Sequence, residues 1–187
     1  MKDPKLRREL SDKEVEDLKK FISNAIPFCM KNRYHDNLEA DSRMFSIESK
    51  DIPLDLASGN LLFVDEYWGN AKKFIGNYQV FLGDKQHNPI FCLNYAGRIY
   101  REGLEKDKEG NSYKNDIKKC IHQALMQENK KNPWRGPDHF RMGDYLYQHY
   151  SNSSVHFFEG RENITHVPTS AHLYHLVYHG LTICPKK

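Results

Sequence analysis

Arg135 is the polar residue whose neighbours restrict its side chain most. It lies between Trp134 and the dipeptide Gly136-Pro137. A guanidinium held in one orientation donates paired hydrogen bonds to a carboxylate or a phosphate, which makes Arg135 a candidate ligand-binding residue. It can equally stack on Trp134 or bridge to an acid of the other half of the chain. The sequence leaves these two roles open.

Four tyrosines form two pairs at the same spacing. The separation of Tyr67 from Tyr150 along the chain equals that of Tyr95 from Tyr178. Aromatic residues at regular spacing usually pack in a core, with their hydroxyls hydrogen-bonded to a partner. If two halves of the molecule face one another, the same rings can instead line a cleft and stack on a flat ligand. All four are candidate ligand-binding residues.

Asp65 is the acid best placed to act as a general acid or base. It stands beside Glu66 and Tyr67, and such a carboxylate needs burial or a close partner to move its pKa toward neutrality. On a strand, Asp65 and Tyr67 share one face and Glu66 takes the other. A solvated acid at a strand end is the simpler interpretation.

Histidines cluster toward the end of the chain, where His172, His175 and His179 are three and four residues apart. On a helix they would line one face and suggest a metal site. We predict a strand there, on which only His175 and His179 share a face, so a metal would need a third ligand from a neighbouring strand. Solvated histidines are the simpler interpretation. No metal site is predicted, and His179 is kept as a candidate ligand-binding residue.

Other chemical motifs are absent from the sequence. It has no serine–histidine–acid order, glycine-rich phosphate loop or nucleophile elbow, and no cofactor is predicted. The charge is nearly balanced, with 28 Lys+Arg against 25 Asp+Glu. This balance disfavours direct nucleic-acid binding unless the lysine pairs at 19–20 and 118–119 form a basic patch.

The composition predicts a cytoplasmic protein. No apolar run reaches the roughly 18 residues that a membrane span requires, and the charged N-terminus is not followed by the apolar stretch of a secretory signal. The four cysteines are widely spaced without a CxxC pair. Reduced thiols packed as small apolar side chains are therefore expected.

Two helices and several strands must position these candidates. Ser11 and Glu14 form a capping box that opens the first helix, and Pro27 indicates an end or a kink in it. The second helix is predicted from about Ile117 to Gln127. Alternating or apolar β-prone segments follow each helix, and they lie at 44–48, 61–64, 78–82, 90–95, 145–150, 156–158, 163–167 and 172–178.

The chain contains one motif written twice. KKFISNAI at 19–26 is echoed by KKCIHQAL at 118–125, and Phe74-Ile75-Gly76 by Phe158-Glu159-Gly160. An [FY]-x-L-x-Y-x-G strand ending occurs at 91–97 and again at 174–180. The strand matches keep the same order at a nearly constant offset, which is a typical sign of an internal repeat.

The repeat predicts the architecture. One helix laid on three or four antiparallel strands buries one sheet face. We therefore expect an α+β fold, a single domain over 1–187 made of two repeats, about 11–101 and 112–185, joined by a charged linker. The two internally duplicated helix-plus-antiparallel-strands units should adopt a pseudo-twofold arrangement, with any ligand in the cleft between them.

The same residues resemble a known bacterial family. The segment LLFVDEYWG at 61–69, Phe74-Ile75-Gly76, and Pro89 followed by NYAG at 94–97 are similar to its pattern of D-x-Y-x-G, F-x-G and P…NY-x-G. Arg135-Gly136-Pro137 and Tyr178-His179-Gly180 also fit it. The family is a domain of unknown function, found alone or behind an N-terminal helix-turn-helix in predicted regulators. The resemblance implies a fold but no chemistry.

The sequence therefore predicts a non-catalytic binding or sensor module. Its partner would be a small anionic or planar ligand, or another protein, held between the two repeats; no membrane partner is expected. The alternative is a hydrolase that uses an acid such as Asp65 or Glu162 with a C-terminal histidine in the same cleft. Convergence of Arg135, the paired tyrosines and an acid–histidine pair in one water-excluded pocket would favour the enzyme. An aromatic cleft with arginine alone would favour binding.

Overall fold

In the part of the chain that it describes, the computed structural model has two α-helices, one short 3-10 helix (Ser49–Asp51) and eight strands. The described residues are 10–33, 42–51, 60–70, 72–83, 89–100, 113–127, 129, 132–152, 154 and 156–183. The helices are α1 (Asp12–Arg33) and α2 (Tyr113–Leu125). The strands are β1 (Ser42–Glu48), β2 (Leu61–Gly69), β3 (Lys73–Leu82), β4 (Pro89–Ile99), β5 (His139–Met142), β6 (Tyr145–Ser151), β7 (Phe157–His166) and β8 (Ala171–Thr182).

The first helix begins at the predicted capping box. The Glu14 carboxylate accepts a hydrogen bond from the Ser11 backbone N–H at 2.8 Å, and the Ser11 hydroxyl accepts one from the Glu14 N–H at 3.3 Å. The sequence allowed either an end or a kink of the helix at Pro27. The helix does not end there but continues to Arg33. Ile26 and Cys29, on either side of the proline, are almost fully buried. Packing of this continuous apolar stripe outweighs the hydrogen bond that proline removes.

All eight strands form one antiparallel sheet in the order β1-β2-β3-β4-β8-β7-β6-β5. The protein is thus an α+β fold, as the sequence predicted. Helix α1 packs on β1 and β2, and α2 packs on β5 and β6. The His122 ring joins the helices by a 3.0 Å contact to the carbonyl oxygen of Met30.

The sheet has two unlike faces. Alternate residues facing the helices are buried and form the hydrophobic core. We call the opposite surface the outer face. Trp68, Ile75, Val177 and Leu181 lie on it, and each is more than 40% exposed. Because side chains alternate along a strand, the register of the sheet assigns every residue to one face or the other.

The central strand pair, β4 and β8, joins two four-stranded meanders. Tyr95 lies directly opposite Tyr178, Leu93 opposite Gly180 and Gly97 opposite Leu176. The predicted [FY]-x-L-x-Y-x-G strand endings therefore pair with one another in the middle of the sheet. Their tyrosines both face the helices.

Several elements of the structure differ from the sequence prediction. The segments predicted at 156–158 and 163–167 belong to one strand, β7, whose charged residues concealed its continuity. Strand β5 was not predicted, since HFRM is short and mixed in polarity. Helix α2 begins at Tyr113, four residues before the predicted start.

Candidate functional site

Arg135 forms a buried ion pair with Glu162. Its Nε and Nη2 donate to the two carboxylate oxygens of Glu162 at 2.5 and 2.8 Å, and Nη1 donates to the Tyr78 hydroxyl at 2.9 Å. Arg135 is 5% exposed and Glu162 is fully buried. Of the roles that the sequence left open, the structure shows a bridge to an acid, but Glu162 lies in the same half of the chain as Arg135 and not in the other half. Because Tyr78 belongs to the first meander and Glu162 to the second, Arg135 also connects the two halves.

The loop before β5 holds Arg135 in place. The Asn129 side-chain amide donates to the Gly136 carbonyl at 2.7 Å, and its side-chain oxygen accepts from the Asn132 N–H at 3.0 Å. Trp134 is fully buried and stacks on Phe158 with ring centroids 4.7 Å apart. Trp134 and Gly136, the neighbours that marked Arg135 in the sequence, thus fix the loop that inserts it into the core.

Glu162 accepts two further hydrogen bonds. Tyr147 donates its hydroxyl to one carboxylate oxygen at 2.7 Å and Tyr174 to the other at 3.4 Å. Burial raises the pKa of Glu162, but the charge and hydrogen bonds of Arg135 outweigh burial, so the pKa lies below its usual value. Burial, then the charge of Glu162, raises the pKa values of both tyrosines well above their usual value. An ionised carboxylate surrounded by protonated donors results.

Tyr95 and Tyr178 each extend, on the helix side of the sheet, from a central strand across the neighbouring strand. The Tyr95 ring passes over Gly76 of β3, and its hydroxyl donates to the Asp65 carboxylate at 3.3 Å. The Tyr178 ring passes over Gly160 of β7, and its hydroxyl lies 2.6 Å from Nε2 of His149. A side chain on either glycine would overlap the ring above it. We call each arrangement a tyrosine–glycine crossing.

These contacts define a buried polar cluster that the sequence found only in part. The structure brings together Arg135, Tyr95, Tyr178 and Asp65 from the predicted candidates. Among its other members, the sequence named Glu162 as an alternative hydrolase acid but did not predict Tyr78, Tyr147, His149 or Tyr174 as ligand-binding residues. Glu162 and His149 occupy inward positions of their strands. An acid at an inward strand position is a signal, because such a group must have a partner.

The remaining candidates lie elsewhere. Tyr67 is half-buried and stacks on Phe74 with ring centroids 5.6 Å apart. Tyr150 is 43% exposed on the outer face, where the Arg161 guanidinium lies 5.1 Å from the centre of its ring. His179 is also exposed on the outer face. The sequence match of Tyr67 with Tyr150 is off by one residue, since Tyr67 lies opposite Gly76 whereas Ser151 lies opposite Gly160.

His149 predicts a pH dependence of stability. Burial lowers its pKa, and Arg135 adds to this effect while Glu162 opposes it. In the unfolded chain His149 takes up a proton near pH 6.5, whereas in the folded protein it does so only at lower pH. The contribution of neutral His149 to stability should therefore be complete above about pH 6.5 and should be lost progressively as the pH is lowered further. Urea denaturation between about pH 7.5 and 5.5 should show this loss, and the loss should be smaller in His149→Gln. The exposed His179→Gln is the control; an equal loss in His149→Gln would contradict the assignment.

A row of exposed side chains crosses the outer face. Adjacent members of the row are directly paired on neighbouring strands. The members of this apolar row, from β2 to β6, are Trp68, Ile75, Ala96, Val177, Arg161 and Tyr150. The solvated face of an antiparallel sheet is usually polar, so the row needs an explanation.

The rows on either side of the apolar row differ in charge. The basic flank contains Lys73, Arg98 and His175, which are paired across β3, β4 and β8. The acidic flank contains Glu66 and Glu159, with Asn77, Asn94 and His179 between them. The outer face thus has an apolar middle with opposite charges on its two sides.

Two grooves lie on this face. One, of about 590 Å³, is lined by Trp68, Lys73, Ile75 and Arg98 among others. The other, of about 640 Å³, has in its lining three of the predicted candidates, Tyr150, Tyr178 and His179, together with Phe157, Arg161 and Val177. Both grooves combine aromatic or aliphatic surface with cations.

Two searches of the described residues were negative. Within the ranges given above, no three His, Cys, Asp or Glu side chains are placed so that they could hold a metal ion. Among the helices of the described part of the chain, none is long and apolar enough to cross a membrane.

Comparison with known proteins gave one match. A family model described as a domain of unknown function (DUF5680) matches residues 65–183, which is well over half of the chain. The match begins within β2, ends after β8 and contains every member of the buried polar cluster. No curated protein and no solved structure matches the chain.

Proposed function

We propose that this chain, which belongs to the DUF5680 family of domains of unknown function, is a non-catalytic binding module that binds through the outer face of its sheet. The observation that supports this role is the apolar row, with Ile75 58% exposed and Val177 47% exposed. Contiguous exposed apolar surface on a folded protein usually marks an interaction site. The cations beside the row favour a planar anion or an acidic partner.

The buried polar cluster has a structural role in this proposal. All three guanidinium donors of Arg135 that contact the cluster are already bonded, two of them to Glu162. An anionic ligand would have to displace an ionised and fully buried carboxylate. Such a displacement would leave Glu162 buried without its partner, which is costly. A ligand is therefore better accommodated on the outer face.

We also propose that the two meanders are copies of one unit. Both contain a tyrosine–glycine crossing, and the crossings meet at the Tyr95–Tyr178 pair. The second glycine of each motif repeats the pattern, since Gly97 lies under the Phe74 ring and Gly180 under the Phe158 ring. Four equivalent close contacts between equivalent residue types favour duplication over chance.

The sequence differences between the two copies support the outer face as the binding surface. When the matching motifs of the two copies are aligned, Ile75 and Ala96 of the apolar row correspond to Glu159 and His179 of the acidic flank. The copies therefore agree in the core and diverge on the outer face. Divergence of one surface over a shared core is the pattern that a new binding function requires.

Binding of 8-anilinonaphthalene-1-sulfonate, a planar aromatic anion, tests this proposal. Native protein at low concentration should bind the dye saturably, and Val177→Glu should weaken binding at least about tenfold, because it places an anion beside the dye in the groove. Val167→Glu is the matched control, since Val167 is similarly exposed but lies in the β7–β8 turn. Equal binding by both variants, or no saturable binding, would refute the proposal.

A hydrolase that uses an acid–histidine pair is the second candidate. It is favoured by one observation, the convergence of Glu162 and His149 with Arg135 and the central tyrosines, although both residues are at most 1% exposed. Hydrolysis of p-nitrophenyl acetate that His149→Gln abolishes without loss of the fold would establish this alternative.

Three narrower points remain proposals. We propose a bacterial origin and, for some relatives, fusion behind a helix-turn-helix, both on the sequence resemblance. We propose a cytoplasmic location because Cys92 and Cys120 are free thiols, as is usual in a reducing compartment.

A further inference from the structure

We infer that the partner bound by the outer face is a second copy of this chain, packed face to face about a twofold axis that runs along the apolar row. This inference rests on the proposed function and specifies its partner. The resulting dimer would be a two-layered sheet sandwich with the helices on its outside. Aligned packing of two antiparallel sheets about 10 Å apart is a common arrangement.

The composition of the apolar row suits a protein interface. The row contains Trp68, Tyr150 and Arg161, the three residue types that most often dominate binding energy. It contains no Lys, Asp or Glu, which are depleted in interfaces. Arg161 already covers the Tyr150 ring, so its charge is partly accommodated before a partner arrives.

The charges on the two flanks select this axis. Rotation by 180° about the apolar row leaves the row on the axis and exchanges its two sides. The basic flank of one copy then lies over the acidic flank of the other, with Lys73 only one strand away from the partner's Glu66 position. A twofold axis parallel to the strands would instead place like charges over one another, which is unfavourable.

The face is large enough for a stable dimer. Eight strands spaced about 4.8 Å apart give a width of about 34 Å, and six residues along every strand except the four-residue β5 give a length of about 20 Å. The projected area of about 700 Å² is close to the roughly 800 Å² that each partner contributes to a standard interface. Because side chains project from the sheet, the accessible area buried by each copy exceeds this flat projected area.

Sedimentation equilibrium of the full chain tests the inference. The wild type should sediment as a dimer of twice the 22.0 kDa chain mass, and Val177→Glu should be monomeric with an unchanged circular dichroism spectrum, because Val177 is 47% exposed in one copy. Val167→Glu, the matched control, should remain dimeric. A wild-type monomer at high micromolar concentration, or a dimer that Val177→Glu leaves intact, would overturn the inference.

Tryptophan fluorescence locates the interface independently. Of the two tryptophans, Trp134 is fully buried and Trp68 is 41% exposed at the end of the apolar row. In the Trp134→Phe variant, the Trp68 emission should shift to the blue and become less sensitive to iodide as the protein dimerises. Dimerisation without this change would place the interface elsewhere and refute the inference.

The dye-binding experiment distinguishes failure of the dimer inference from failure of the proposed binding function. If the wild type is monomeric but its dye binding is weakened by Val177→Glu, the self-association fails and the proposed function stands with a different partner. If neither dimerisation nor dye binding responds to Val177→Glu, both fail.

Discussion

Arg135→Met is expected to lower the free energy of unfolding by about 3–5 kcal/mol, since breaking a buried ion pair leaves the other charge uncompensated. Glu162 would then be fully buried beside tyrosine donors only. A loss of this size is a large part of the roughly 5–15 kcal/mol that stabilises a domain. Urea denaturation at neutral pH measures it.

The double variant Arg135→Met/Glu162→Leu is the matched control. Replacing both charges by apolar side chains removes the uncompensated carboxylate, so most of the lost stability should return. If the double variant is as unstable as Arg135→Met, then loop packing around Trp134, and not the ion pair, determines stability at this position.

The single variant Arg135→Met should reverse the direction in which the ionisation of Glu162 changes stability with pH. In the wild type the pKa of Glu162 is lowered, so its contribution is present above about pH 4.3 and is lost on acidification. Without Arg135, burial dominates and raises the pKa above that of the unfolded chain. In Arg135→Met, the contribution of Glu162 to stability is then present at low pH and is lost as the pH rises through the pKa of Glu162 in the folded protein. Acidification toward about pH 4.3 should therefore narrow the difference between variant and wild type.

Gly160→Ala is expected to cost about 3 kcal/mol, at the upper end of the usual cost of overpacking. A Cβ at this position would overlap the Tyr178 ring and lie 2.5 Å from the Tyr150 carbonyl oxygen. The ring cannot move aside without losing its 2.6 Å contact to His149. Thermal denaturation of Gly160→Ala and of its counterpart Gly76→Ala should show similar losses.

A second substitution tests the mechanism of this loss. Adding Tyr178→Leu to Gly160→Ala removes the ring and should restore part of the stability, although the backbone contact remains. Tyr178→Phe, which removes only the hydroxyl, should not restore it. Full stability of Gly160→Ala alone would show that the ring does not lie over the glycine.

Local patterns allowed the helices and most strands to be predicted. The Ser11–Glu14 capping box depends on residues three apart, and the Tyr95 and Tyr178 strands show their inward faces by simple alternation. Each of these signals lies within a short stretch of sequence, where periodicity is informative.

The partners within the core could not be predicted in this way. Arg135 and Glu162 are 27 residues apart, and Arg135 and Tyr78 are 57 apart, so no local pattern joins them. The Tyr67–Tyr150 match failed for a related reason. The separation of Gly76 from Gly160 is longer by one residue than the separation of Tyr95 from Tyr178. A shift of one residue moves a side chain to the other face of the sheet.

The central position of β8 has a consequence for how the chain is made. Strand β4 stays an open edge while residues 100–170 are synthesised, because the strand that pairs with it is the last of the eight in the sequence. An unpaired edge is a template for mispairing with other chains. Translation that stops before residue 171 would therefore release an N-terminal meander with this edge unprotected. Nascent chains should thus depend on chaperones until the final strand leaves the ribosome.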